Sequence, residues 1–154
     1  MNKTSDLVIF PETIISIPFT REDEFFKSFQ TTTDDTNMLI TGLFSKSDDK
    51  FFNSMIFFSD NINIYNKRKL VPFGEYTPWY NSLLKLAENL NIPLSNLSSG
   101  PERIEKISFG NINIIPMICF ESTFPNLIES SSDQEIIVNI SNDAWFGESL
   151  APHQ

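Results

Sequence analysis

The single cysteine, Cys119, carries the most distinctive chemistry of the sequence. A thiol becomes a strong nucleophile only when a nearby base or positive charge favours the thiolate, and the oxyanion formed by attack on a carbonyl needs hydrogen-bond donors. Glu12 and Lys67 have the right chemical types, since one is a carboxylate base and the other an ammonium donor. The three residues together indicate acyl transfer through a cysteine nucleophile.

Other common uses of a cysteine fit this sequence poorly. The only histidine, His153, is one residue from the end of the sequence, so a Cys-His pair is not expected. One Cys and one His fall short of the three protein ligands that a catalytic zinc normally takes, so we expect neither a metal nor a cofactor. A single cysteine also forms no internal disulfide.

Each of the three residues also has an ordinary structural explanation. Cys119 ends an apolar run and would suit a small buried thiol. Glu12 follows a strand, where an exposed carboxylate is common, and Lys67 stands beside Arg68 and Lys69 in what would often be a solvated turn. The surrounding sequence must therefore decide between structure and chemistry.

Composition predicts one folded domain. The chain has 154 residues, 40% of them hydrophobic, with fifteen Phe spread over many short segments, as in a layered core. Its net charge of −9 repels phosphate backbones, so nucleic acid is not an expected partner. No apolar run approaches the roughly 18 to 20 residues of a membrane-spanning helix, and we expect the chain as given to be soluble.

The order of predicted elements indicates an α/β fold with layered sheets. Hydrophobic periodicity, Pro and Gly predict a buried strand at 6–10 that ends at Pro11, and further strands at 38–44, 51–58, 62–65, 104–109, 112–118 and 136–140. They also predict helices near 21–30 and 79–91, a polar turn at 45–50 and a helical turn at 125–129. Turn residues at 59–61 and 110–111 predict two hairpins. Glu12, Lys67 and Cys119 all follow predicted strands, where loops can present several side chains to one crevice.

Four segments resemble the carbon-nitrogen hydrolase (nitrilase) superfamily, and within it the apolipoprotein N-acyltransferases of bacterial envelopes. Leu-Val-Ile-Phe-Pro-Glu at 7–12 resembles the strand that ends in the general base. Tyr-Asn-Lys-Arg-Lys-Leu-Val-Pro-Phe-Gly-Glu-Tyr at 65–76 is similar to the lysine motif. Ile-Cys-Phe-Glu-Ser-Thr-Phe-Pro at 118–125 resembles the nucleophile motif, and Val-Asn-Ile-Ser-Asn-Asp-Ala-Trp-Phe-Gly at 138–147 resembles the strand and loop that follow it. Four matches in the family's order make chance agreement improbable.

The resemblance implies a nitrilase-like α-β-β-α sandwich and a catalytic set of Glu12 as general base, Lys67 as oxyanion stabiliser and Cys119 as nucleophile. We expect residues 1–154 to be a carbon-nitrogen hydrolase catalytic domain that is truncated at both ends.

The resemblance also places other residues in or near the active site. Glu75 and Glu121 are expected as supporting residues, together with Phe120, which stands where relatives often carry Tyr. Tyr76 and Trp145 are candidate substrate contacts, although an aromatic residue is more often part of a core.

The function implied is transfer of an acyl chain from a phospholipid donor to the N-terminal amine of a diacylglyceryl-cysteine apolipoprotein, through a thioester on Cys119. The full-length protein would then lie in the bacterial inner membrane through helices absent from this chain, with the catalytic domain facing the periplasm. A soluble amidase or nitrilase and a catalytically dead nitrilase-like interaction domain remain as alternatives.

Overall fold

The computed structural model describes residues 6–20, 23–31, 33, 37–80, 96–102, 107–128 and 135–142. Within these ranges the elements are β1 (Leu7–Ile9), β2 (Ile15–Phe19), α1 (Glu24–Thr31), β3 (Met38–Ser47), β4 (Lys50–Phe58), β5 (Ile62–Asn66), β6 (Ile107–Phe109), β7 (Ile112–Ile118), 3-10 turns at Cys119–Thr123 and Pro125–Leu127, and β8 (Glu135–Ile140). No helix of this described part is long and apolar enough to cross a membrane.

The first sheet has the order β1-β3-β4-β5, and β2 also pairs with β3. β1 and β2 both run parallel to β3, one after the other, with Leu7 opposite Met38 and Ile15 opposite Leu43. The chain leaves the ladder between them, and Glu12 lies in this interruption. Glu12, the predicted base, therefore lies where the strand pairing is interrupted.

The second sheet has the order β6-β7-β8, with β6 and β7 antiparallel and β7 and β8 parallel. It packs on the first sheet through a core of buried apolar side chains from both sheets, including Ile40, Phe57, Ile118 and Ile140. The helix α1 covers the opposite face of the first sheet through Phe26, which packs with Phe19, Leu43, Ile56 and Phe58. The described layers are thus helix, sheet and sheet.

Side-chain alternation explains why β4 is so rich in apolar residues. Met55 and Phe57 belong to the core between the sheets, whereas Ile56 and Phe58 belong to the core under α1. Successive residues of a strand point to opposite faces, so a central strand covered on both faces carries apolar residues on both of them, in place of a strict alternation with polar ones. The layered α/β core predicted from composition and element order is confirmed.

Both predicted hairpins are confirmed. β4 and β5 pair antiparallel, with Phe58 opposite Ile62, and β6 and β7 pair with Phe109 opposite Ile112. The predicted strand 136–140 and the helical turn that begins at Pro125 are also present. The predicted helix at 79–91 lies almost wholly outside the described residues.

The structure corrects several boundaries. β3 continues through Ser47 and β4 begins at Lys50, so the polar turn predicted at 45–50 is reduced to its two central residues. Backbone pairing does not depend on side-chain polarity, which is why polar residues extend this hairpin. α1 begins at Glu24 rather than near residue 21, because Asp23 caps it by accepting a hydrogen bond from the Phe25 amide, at 2.9 Å.

Two further expectations about burial and strands were wrong. The first strand was predicted to be buried, yet Val8 is 40% exposed and Ile9 is 46% exposed. Among the described strands β1 pairs only with β3 and stands at the edge of the sheet, so it is not covered as a central strand would be. The strand β2 was not predicted at all, and its pairing with β3 shifts register around Pro18, which has no amide to donate.

Candidate active site

The structure brings Glu12, Lys67 and Cys119 to one pocket of about 170 Å³. The other residues that line it are Val71, Gly74, Glu75 and Asn142. The three residues, each predicted to follow a different strand, therefore share one crevice as expected.

Glu12 is held at the break between β1 and β2 by backbone contacts on both sides. The Gly42 amide donates to the Pro11 carbonyl at 3.1 Å, and the Ile14 amide donates to the Gly42 carbonyl at 3.1 Å. A Cβ on Gly42 would lie 2.5 Å from the Glu12 Cα, so this position of β3 must be glycine for the chain to pass so close. Asn142 Nδ2 donates to the Glu12 carbonyl at 3.1 Å.

The Glu12 carboxylate is 3% exposed, and its two oxygens differ. Oε1 accepts from Asn53 Nδ2 at 2.7 Å and lies 3.8 Å from Lys67 Nζ. Within the described residues, Oε2 has no hydrogen-bond partner. Burial raises the pKa of Glu12 above its ordinary value, and the Asn53 hydrogen bond and the Lys67 charge offset only part of this rise. The group has the character of a base with one unoccupied oxygen.

Lys67 follows β5 directly and is 1% exposed. Its Nζ donates to Glu75 Oε1 at 2.8 Å, the closer of its two carboxylate neighbours. Glu75 Oε2 accepts from the Val71 amide at 2.9 Å, which ties the loop after Lys67 to the same cluster. One ammonium therefore stands between two carboxylates, and it is fixed at the wall of the pocket.

Cys119 is the first residue after β7 and has a φ of +52°. The left-handed region is unfavourable for residues with a side chain and is concentrated at functional sites, including the sharp strand-to-helix turns that carry catalytic nucleophiles. Burial raises the pKa of the Cys119 thiol, and the negative Glu12 raises it further, while Lys67 and the Phe120 amide lower it. The resting sulfur is therefore a thiol that needs a base to activate it.

Glu121 is fully buried and joins the nucleophile turn to the lysine loop. Its Oε1 accepts from the backbone amides of Arg68, at 2.7 Å, and Lys69, at 3.0 Å. Its Oε2 accepts from the Tyr65 hydroxyl at 2.9 Å and the Ile118 amide at 2.9 Å. Four donors satisfy this carboxylate, and it does not line the pocket. Its contacts suit positioning rather than chemistry.

Two further predicted site residues, Phe120 and Tyr76, lie apart from the pocket wall. Phe120 is 39% exposed and its ring packs on Phe124 at a centroid distance of 5.0 Å. Tyr76 makes backbone bridges to Pro72 and Asn96. Neither is among the pocket-lining residues, and their roles, like those of the other site residues, stay predictions. Trp145 lies outside the described residues.

Sequence analysis missed two residues of the site. Asn142 lines the pocket and falls within the last matching segment, so its position was available but its role was not recognised. Asn53 contacts both Glu12 and Glu75. The feature of the sequence that could have revealed it is a polar amide inside the apolar run of β4. A buried polar residue in such a strand needs a partner, which is a reason to suspect a site.

Comparison with known proteins identifies the class of protein. The carbon-nitrogen hydrolase family model matches residues 1–154, and the chain belongs to this family. A CN-hydrolase superfamily protein from Xanthomonas campestris, solved with an arsenic adduct in its active site, is similar over 91% of this chain and 53% of its own, with a TM-score of 0.63 and 20% identity. The nitrilase-like α/β fold is thereby confirmed.

Several curated proteins that are similar to this chain carry the name apolipoprotein N-acyltransferase. The relative from Pseudomonas aeruginosa strain PAO1 is 30% identical over 97% of this chain and 30% of its own length. The relative from Allorhizobium ampelinum is 31% identical over 97% of this chain and 30% of its own length. The predicted resemblance to this family of acyltransferases is confirmed, and the chain spans about a third of the length of these relatives.

Proposed function

We propose that this pocket is the catalytic centre of an enzyme that moves a fatty acyl chain from a phospholipid to the N-terminal amine of a diacylglyceryl-cysteine apolipoprotein. The observation that carries the proposal is the single pocket shared by Cys119, Lys67 and Glu12, in which Glu12 keeps one carboxylate oxygen without a protein partner among the described residues. The name shared by the relatives supports the choice of substrates.

In the first half reaction, Glu12 accepts the proton of the Cys119 thiol, and the sulfur attacks the ester carbonyl of the phospholipid. Lys67 Nζ and a backbone amide stabilise the oxyanion. The carbon–oxygen bond of the ester breaks, and the lysophospholipid alkoxide takes the proton back from Glu12. The acyl chain remains on Cys119 as a thioester.

In the second half reaction, the free amine of the lipoprotein attacks the thioester carbonyl. Glu12 accepts the proton that the amine loses, the carbon–sulfur bond breaks and the thiolate is reprotonated. An amide product leaves and the free enzyme is restored. Because the two lipids react in turn, one acyl slot can serve both of them.

The proposed setting is the bacterial inner membrane, with residues 1–154 as the carbon-nitrogen hydrolase domain of a longer protein and its pocket open to the periplasm. The greater length of the relatives supports one part of this proposal, that residues 1–154 are a domain of a longer protein.

The test is to incubate the full-length protein with phospholipid and search the Cys119 peptide by mass spectrometry for a hydroxylamine-sensitive acyl adduct. Addition of a diacylglyceryl peptide with a free N-terminus should then discharge the adduct and yield an N-acylated peptide. Cys119→Ser should give neither product, because a hydroxyl is much harder to deprotonate than a thiol and attacks the phospholipid ester far more slowly. Any ester formed on the serine would also react with the amine far more slowly than a thioester does.

Two outcomes would overturn the proposal. An adduct that is discharged to water at the same rate with or without the amine would indicate a hydrolase. Absence of any adduct that depends on Cys119 would indicate a binding domain without catalytic activity.

A further inference from the structure

Asn53 is hydrogen-bonded through its side chain to both carboxylates beside Lys67, and through its backbone to Lys67 itself. It lies on β4 and is 3% exposed. Its side-chain Nδ2 donates to Glu12 Oε1 at 2.7 Å and to Glu75 Oε1 at 2.6 Å, and its backbone carbonyl accepts from the Lys67 backbone amide at 2.8 Å. One residue in the middle of a strand thus meets the base, the second carboxylate and the lysine.

The orientation of the Asn53 amide follows from its neighbours. Both groups beside Nδ2 are carboxylate oxygens, which only accept hydrogen bonds. The reversed amide would place its carbonyl against two negative oxygens, so the nitrogen must face them. Both Nδ2 hydrogens are therefore used, and Oδ1 is left buried without a partner within the described residues. Leaving a buried oxygen unpaired is unfavourable, and the two charge-assisted bonds offset it.

We propose that Asn53 is the positioning residue of the base, holding Glu12 by Oε1 so that Oε2 is the oxygen that receives the thiol proton. The inference rests on the proposed role of Glu12. Asn53 touches no reacting atom and acts only through the carboxylate. A carboxylate bound by one oxygen cannot rotate freely, so the unoccupied oxygen keeps one direction.

The same contact controls the ionisation of the base. Burial raises the pKa of Glu12, and the Asn53 hydrogen bond is the largest influence that lowers it. Glu75 raises the pKa of Glu12 through its own charge, so the cluster holds two acids around one lysine. Removal of Asn53 should therefore raise the pKa of Glu12 and leave less of the base ionised at neutral pH.

Ser54 provides a matched control on the same strand. It is also buried, and its Oγ bonds Ser45 Oγ at 2.6 Å and Asn66 Oδ1 at 2.7 Å on the opposite side of the sheet. Ser54→Ala removes buried hydrogen bonds beside Asn53 without touching either carboxylate. It reports what a general loss of packing in β4 does to the site.

The experiment measures alkylation of Cys119 by iodoacetamide from pH 5 to 9 in the full-length protein, read from the Cys119 peptide by mass spectrometry. Asn53→Ala should slow alkylation at neutral pH about ten- to a hundredfold, the range expected for a hydrogen bond to a charged group, and should move the acid limb of the profile to higher pH. Asn53→Asp should move the limb further, because it adds a third negative charge. Ser54→Ala should leave the limb in place.

An acid limb in Asn53→Ala that coincides with that of Ser54→Ala overturns the proposal. Asn53→Ser is measured in parallel, and each rate refers to the folded fraction, so a folding defect in one variant leaves the comparison intact. Alkylation needs no lipid. A shifted limb without acyl transfer supports Asn53 and refutes the proposed function, whereas acyl transfer with an unshifted limb does the reverse.

Discussion

Two buried glutamates of this domain have opposite surroundings. Glu12 is 3% exposed and Glu121 is 0% exposed, so burial does not distinguish them. Four donors surround Glu121, and each of its oxygens accepts two hydrogen bonds. Glu12 has one bound oxygen and one without a partner in the described part of the chain. The number of hydrogen bonds that the carboxylate oxygens accept, rather than depth of burial, separates a carboxylate that holds structure from one suited to move a proton.

Glu12→Gln gives the strongest test of this difference between the two glutamates. We expect formation of acyl-Cys119 to slow by about a hundred- to ten-thousandfold, because the amide cannot accept the thiol proton. The unfolding temperature should stay the same or rise slightly, since an ionised group disfavoured by burial is removed. Single-turnover acylation and thermal unfolding of the full-length protein measure the two quantities. Glu24→Gln, on the exposed first turn of α1, is the control, and an unaltered rate in Glu12→Gln would contradict the assignment.

The second test is Glu121→Ala, which should lower both the stability of the fold and the rate of Cys119 acylation. Loss of the carboxylate leaves buried donors on Tyr65 and Ile118 unpaired, and each such donor costs about 1–3 kcal/mol. We expect an unfolding temperature about 10 °C lower. Glu121→Gln, which keeps one acceptor oxygen, should lose less. A large fall in rate with an unchanged unfolding temperature would show that Glu121 acts chemically.

The third test of the difference between the two glutamates is the pH dependence of Cys119 acylation. The raised pKa of Glu12 means that the base becomes protonated, and the rate is lost, as pH falls through that raised value. Below it the rate should drop by about tenfold per pH unit, as for a single ionisation. Glu121→Gln should keep this acid limb because Glu121 does not contact Glu12. Absence of the limb in the wild-type profile would mean that another group activates the sulfur.

The smallest effect is expected for Tyr65→Phe. The ring stays in the core between the sheets, and only the 2.9 Å hydrogen bond to Glu121 and the 3.3 Å contact with Arg68 Nε are lost. We expect about 1 kcal/mol of destabilisation and a rate within a few-fold of the wild type. Thermal unfolding and acylation assays check both. A loss as large as that of Glu121→Ala would mean that Tyr65 rather than the backbone amides is the main partner of Glu121.

Much of the architecture around the site was accessible from local patterns. Gly110 and Asn111 indicated the hairpin that delivers Cys119, and the alternation of apolar residues indicated the strands that precede Glu12 and Lys67. These features depend on residues close in sequence, which is why they could be predicted. The exposure of β1 could not, since an edge strand differs from a central one only in which distant strands pair with it.

The contacts of Glu121 and Asn53 were beyond such patterns. The four donors of Glu121 come from two segments of the chain, residues 65–69 and Ile118, and a motif names the carboxylate without showing which groups donate to it. Asn53 sits in no matched motif, and its partners are 41 and 22 residues away in sequence. Satisfaction of buried polar groups is a property of the assembled layers, so it appears only once the strands are in register.

Gly42 limits how far the backbone of Glu12 can move. Because Gly42 has no side chain, the backbone of Glu12 packs directly on the backbone of β3, with no side chain of Gly42 between them. The backbone of Glu12 therefore cannot move toward β3, because Gly42 already stands at the closest distance that the two chains allow. A molecule that enters the pocket must fit this position of the Glu12 backbone.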